Sequence, residues 1–78
     1  MKVTDYFKFT SKWPDRQDIE WEWIQRVVDR PEKRHIQKDG GWHLWGKVPE
    51  AGGRYLRVVI LEGGETVHNA FFDRGFKG

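Results

Sequence analysis

The sequence predicts an α+β domain in which one amphipathic helix packs on an antiparallel meander sheet of three to four strands. Three observations carry this. Residues 19–30, I-E-W-E-W-I-Q-R-V-V-D-R, place Ile19, Trp23, Ile24, Val27 and Val28 at helical spacing. W-H-L-W-G-K-V and R-Y-L-R-V-V-I-L read as strands rich in β-branched and aromatic residues. Gly63-Gly64 stands between two such runs where a hairpin needs a turn.

In chain order, residues 1–15 read as a short strand or extended arm. D-Y-F-K-F-T, residues 5–10, supplies its aromatic edge, and Pro14 holds Trp13 extended. Asp18 suits the N-cap of the helix 19–30. Glu20 and Glu22 favour its positive end, Arg26 and Arg30 its negative end, and Pro31 stops it. The sheet, 34–72, then follows as strands 34–38, 42–48, 54–61 and 66–72, leaving 73–78 as a C-terminal tail. A single helix covers one sheet face and leaves the other open.

Seventy-eight residues are expected to form one domain with a small core. Only 37% of them are hydrophobic, but twelve are aromatic, five of these Trp, and such large rings argue against disorder. The formal net charge of +2 is no global nucleic-acid signature, so a cationic site has to be local. With no Cys, disulfides and thiolate chemistry are excluded. No apolar run is long enough to span a bilayer, and no signal peptide opens the chain, so a soluble, cytoplasmic protein is expected.

A two-residue turn at Gly63-Gly64 sets Glu62 opposite Glu65, Val59 opposite His68 and Arg57 opposite Ala70. Alternation then puts Leu56, Val58, Ile60, Val67 and Phe71 against the helix. Tyr55, Arg57, Val59, His68, Ala70 and Phe72 fall on the open face. Arg57 and His68 become diagonal neighbours. Around them the sequence spreads Arg34, Lys47, Arg54, Arg74 and Lys77, interleaved with Trp45, Tyr55 and Phe72. Sheet aromatics stack unpaired bases while Arg and Lys hold phosphate. His68 as acid or base and Arg57 as stabiliser of a phosphorane would suit RNA cleavage. The plainer reading is that the rings complete a small core and the charges keep it in solution.

The run of helix ending in D-R-P, basic strand, W-G strand, G-R-Y-L-R-V-V-I-L-E and H-N-A-F-F-D-R resembles the small toxin-like domains related to BrnT. These lie in the RelE/ParE superfamily of bacterial toxin–antitoxin systems. The resemblance covers about residues 16–77 and is nearest to an uncharacterised branch. It implies a curved sheet with an open concave face. It also implies metal-independent cleavage of mRNA, often ribosome-bound, and a cognate antitoxin that blocks it. Arg57, Arg54 and Arg74 match the family's arginine positions. Relatives begin with a His-Ala-x-x-Arg helix, whereas here S-K-W-P-D-R stands and only Arg16 matches.

Three functions follow as expectations. The first is a metal-independent endoribonuclease toxin with no cofactor, in which His68 and Arg57 are catalytic. Arg54, Arg74, Lys47, Lys77 and Arg34 would bind phosphate, and Tyr55, Trp45 and Phe72 would stack bases. The second is a non-catalytic protein- or nucleic-acid-binding domain using the same face. The third is a haem or metal binder through His35, His43 or His68, which no local spacing enforces. Unpaired strand edges and exposed Trp leave room for a homodimer or for antitoxin docking.

Overall fold

The computed structural model describes residues 1–77; Gly78, the last residue of the expected tail, lies outside the described residues. The chain runs β1 (Lys2–Val3), α1 (Asp5–Thr10), α2 (Trp21–Asp29), β2 (Lys33–Ile36), β3 (Trp42–Val48), a 3-10 turn (Pro49–Ala51), β4 (Arg54–Ile60) and β5 (Thr66–Phe72). The α+β class and the antiparallel run β2 to β5 are as expected. The sheet nevertheless has five strands in the order β1-β5-β4-β3-β2, with β1 parallel to β5, and there are two helices.

The expected strand at 5–10 is helix α1, for a local reason. Thr4 is extended and its Oγ1 accepts the Phe7 N–H at 3.0 Å, closing a helical N-terminus, and Asp5 adds negative charge there. Phe7 and Thr10, three residues apart, face inward; the Thr10 hydroxyl donates to the Phe7 carbonyl at 3.3 Å. The strand role passes to Lys2–Val3, which pair with Thr66–Val67.

Helix α2 begins two residues later than expected, with Glu20 rather than Asp18 at the N-cap and no side-chain cap bond. Ile24 and Val27 are fully buried against Leu44, Val48, Leu56, Val58 and Ala70, while Ile19, Trp23 and Val28 pack at the margin. Burying an Ile or Val side chain contributes about 1.5–3 kcal/mol, so this stripe fixes the helix. Gly46 permits the close approach of α2 to β3. A Cβ at that position would lie 2.8 Å from Val27 Cγ2.

The hairpin corrects the expected register. The turn is closed by Gly64 N–H to the Leu61 carbonyl at 3.1 Å, with Gly63 and Gly64 both at positive φ. Ile60 pairs with Val67 as expected, but Val59 then pairs with Asn69, Val58 with Ala70 and Arg57 with Phe71. His68 is the extra residue of a β-bulge. One inserted residue reverses the faces of everything after it. Ala70 and Phe72 therefore turn to the helices and Phe71 to the open face, opposite to expectation.

Candidate functional site

With both helices on one side, the other side of the sheet is lined by alternate residues of each strand. Register places Lys33 and His35 of β2, His43, Trp45 and Lys47 of β3, Tyr55, Arg57 and Val59 of β4, and Asn69 and Phe71 of β5 on this face.

Arg57 is the hub. Its Nε donates to His43 Nδ1 at 2.9 Å, and its Nη2 meets the same ring nitrogen. Nη1 lies 3.4 Å from Asp73 Oδ2. The guanidinium carbon sits 5.0 Å from the Trp45 ring centre and 5.6 Å from that of Phe71. Trp45 Nε1 donates to the same Asp73 oxygen at 3.0 Å, and Asp73 Oδ1 accepts the Gly75 N–H at 3.0 Å. The Trp45 hydrogen bond, with the Gly75 amide and the Arg57 charge, holds the Asp73 carboxyl below its ordinary range. Phe76 stacks on Trp45 at 5.1 Å and meets Tyr55 edge-on at 4.8 Å.

Burial and then the Arg57 and His35 charges push the His43 imidazole down, against a smaller opposing effect of Asp39. The ring is therefore neutral, and acceptance at Nδ1 puts its proton on Nε2. In this arrangement the basic lone pair of His43 is held by Arg57. Displacing the guanidinium frees that lone pair and two cationic donors at the same moment.

At the sheet margin, Arg16 donates through Nη1 to Asn69 Oδ1 at 2.6 Å and lies 4.8 Å from the Trp13 ring and 5.3 Å from Phe71. Its buried Nε has no hydrogen-bond partner among the described residues.

The structure brings four of the sequence-predicted site residues onto this face: Arg57, Trp45, Tyr55 and the exposed Lys47. The others lie elsewhere. His68 is not beside Arg57, because the bulge turns it to the N-terminal segment. There its Nδ1 is 3.1 Å from Thr4 Oγ1 and its ring stacks on Tyr6 at 4.8 Å. Phe72 packs near Trp23 on the helix side, and Arg54 lies 4.0 Å over it while donating Nε–H to the Ala51 carbonyl. Arg34 also projects to the helix side, 5.8 Å from the Trp42 ring. Arg74 and Lys77 are exposed beyond β5. Arg54 and Arg74 line a cleft of about 270 Å³ with Tyr55, Phe72, Asp73 and Phe76 at one end of the sheet.

His35 and His43 are cross-strand partners, whereas His68 is held elsewhere, so the three histidines do not converge. Among the described residues no three His, Cys, Asp or Glu are grouped to hold a metal ion. No helix is long and apolar enough to cross a membrane.

Sequence reasoning missed Asp73 and Phe76, and named His43 only as a candidate metal or haem ligand, not as the partner of Arg57. A signal for His43 was present: closing β3 on β4 across the five-residue loop P-E-A-G-G pairs Val48 with Arg54. The same register then pairs Trp45 with Arg57 and sets His43 diagonally beside it. No family model, no curated protein and no solved structure matches the chain.

Proposed function

We propose that this domain is a metal-independent endoribonuclease of the toxin kind, acting on cytoplasmic RNA at its open sheet face. The observation that carries the reading is the Arg57–His43 contact, 2.9 Å from Nε to Nδ1, on a face where Lys33 and Lys47 add positive charge. An RNA phosphate competes for the Arg57 donors. When it wins, the guanidinium moves onto the developing phosphorane and Nδ1 of His43 becomes free to take the 2′-hydroxyl proton. Asp73 keeps the guanidinium aimed along the face during this exchange. Lys47 on this face would hold a flanking phosphate, with Arg74 a further cation at the end of the sheet, and a cognate antitoxin would inhibit by covering the same cations.

The test combines purified protein with single-stranded RNA, and induction of the gene with measurement of growth. Arg57→Ala and His43→Ala, folded by circular dichroism, are expected to lose cleavage and growth arrest, and His68→Ala to keep both. Folded Arg57→Ala and His43→Ala proteins that cleave like the parent would overturn the reading. A second reading, a non-catalytic RNA-binding module, is favoured by one observation: Arg57 is already engaged by both His43 and Asp73. It predicts salt-dependent RNA retention without products in the same assay.

A further inference from the structure

His35 stands directly opposite His43 in the β2–β3 pairing, and cross-strand partners share a face. The Gln37 N–H to Gly41 carbonyl bond sets the alternation of this ladder, which makes His35 and His43 a hydrogen-bonded pair. Their Cα atoms are then roughly 5.5 Å apart. The two rings differ in surroundings. His43 is half-buried and tied to Arg57, whereas His35 lies in an edge strand whose four residues are all exposed. The edge position leaves His35 exposed, with Lys33 two residues along its own strand and His43 across from it. Beyond the pair, Arg57 on β4 and Asp39 in the β2–β3 turn are the charges that act on His43.

Resting on the ribonuclease reading, we infer that His35 and His43 are the acid and base of one transphosphorylation. His43 removes the 2′-hydroxyl proton, and the 2′-oxygen bonds to the adjacent phosphorus. The bond from phosphorus to the 5′-oxygen breaks, its electron pair stays on that oxygen, and His35 as imidazolium delivers the proton it needs. The products are a 2′,3′-cyclic phosphate and a 5′-hydroxyl end, with no net change in protons, so neither metal nor external reductant is consumed. Each ring needs only a hydrogen bond of about 3 Å to one of two oxygens on opposite sides of one phosphorus. Anchors about 5.5 Å apart on one face suit that geometry. Arg57, between the pair and Asp73, faces the non-bridging oxygens.

The experiment compares an RNA oligonucleotide with uridine 3′-(4-nitrophenyl phosphate), whose leaving group departs without protonation. His35→Ala is expected to lose RNA cleavage about a hundredfold or more while cleaving the nitrophenyl ester within a few-fold of the parent. His43→Ala should lose both. The pH–rate profile for RNA should be bell-shaped in the parent and lose its alkaline limb in His35→Ala. His35→Gln provides a second exposed, polar replacement in case alanine weakens the edge strand. Parent protein that cleaves RNA together with His35 variants of unchanged rate, or equally slowed on both substrates, would overturn the acid–base pair and leave the ribonuclease reading standing. Parent protein that cleaves neither substrate would overturn the ribonuclease reading itself, and the pair with it.

Discussion

Gly46→Ala probes the packing that supports the site, because Gly46 lies between Trp45 and Lys47 on the strand that also carries His43. The added Cβ would meet Val27 Cγ2 at 2.8 Å, Val27 Cβ at 3.4 Å and Val27 Cγ1 at 3.5 Å. Comfortable carbon–carbon contact is about 3.5–4.0 Å, so one methyl overlaps by about 0.7 Å or more. Overpacking of this kind costs about 1–3 kcal/mol. Replacing glycine where the backbone tolerates alanine returns about 0.4–1 kcal/mol through the unfolded chain. The expected net loss is about 1–2 kcal/mol. At a urea slope of about 1 kcal/mol/M the unfolding midpoint falls by about 1–2 M. The diagnostic measurement is the double variant. In a Val27→Ala background the clashing methyls are gone, so Gly46→Ala should there be neutral or stabilising, a coupling of about 1 kcal/mol or more. Equal destabilisation in both backgrounds would refute the steric argument.

Two further outcomes are expected. Thr4→Ala should cost about 1 kcal/mol by removing the α1 cap and speed hydrogen exchange at the Phe7 amide, whereas Thr4→Ser should keep both near the parent. Stability should also fall on acidification in two stages, followed by urea unfolding at a series of pH values. His43 is depressed in the fold, so the unfolded chain binds its proton first and stability drops as pH falls below about 6.5. Asp73 is also depressed, so its contribution is present above about 3.9 and is lost as pH falls further. His43→Gln should remove the first stage and leave the second.

Most of the sheet was legible because β-branched and aromatic runs separated by Gly-rich turns leave few alternatives, and α2 because five apolar residues recur at helical spacing. What escaped depends on single atoms or single residues. Six residues make fewer than two helical turns, too few to show a period, and D-Y-F-K-F-T is rich in strand-favouring rings. Only the Thr4-Asp5 cap distinguished helix from strand. The bulge at His68 was invisible for a different reason. Alternation specifies a register only while both strands keep the same count. T-V-H-N-A-F-F reads equally well with or without one residue skipped, since Phe71 and Phe72 are interchangeable in hydrophobicity. The choice is made by contacts distant in sequence: Thr4 and Tyr6 engage His68, and Arg16 engages Asn69.

That single skipped residue decides which histidine serves Arg57. Without it, His68 would share the face with Arg57. With it, His68 is drawn towards Tyr6, and β3 supplies His43 instead. The exchange changes the chemistry as well as the name of the partner. His43 is half-buried among Arg57, His35 and Trp45, which keeps it neutral, and its lone pair is held by the same guanidinium that an RNA phosphate would attract. On the proposed ribonuclease reading, base and phosphate clamp would restrain each other until a polyanion separates them, so cleavage would require a phosphate that outcompetes His43 for Arg57. Asp73 limits how far the guanidinium can swing, since Trp45 and Gly75 fix both of its oxygens. An Asp73→Asn protein keeps acceptor capacity but loses the charge that restrains Arg57. On this argument it should bind RNA more tightly yet align Arg57 less well, raising affinity while lowering the single-turnover rate. A parallel fall or rise in both quantities would show that Asp73 does not position the guanidinium.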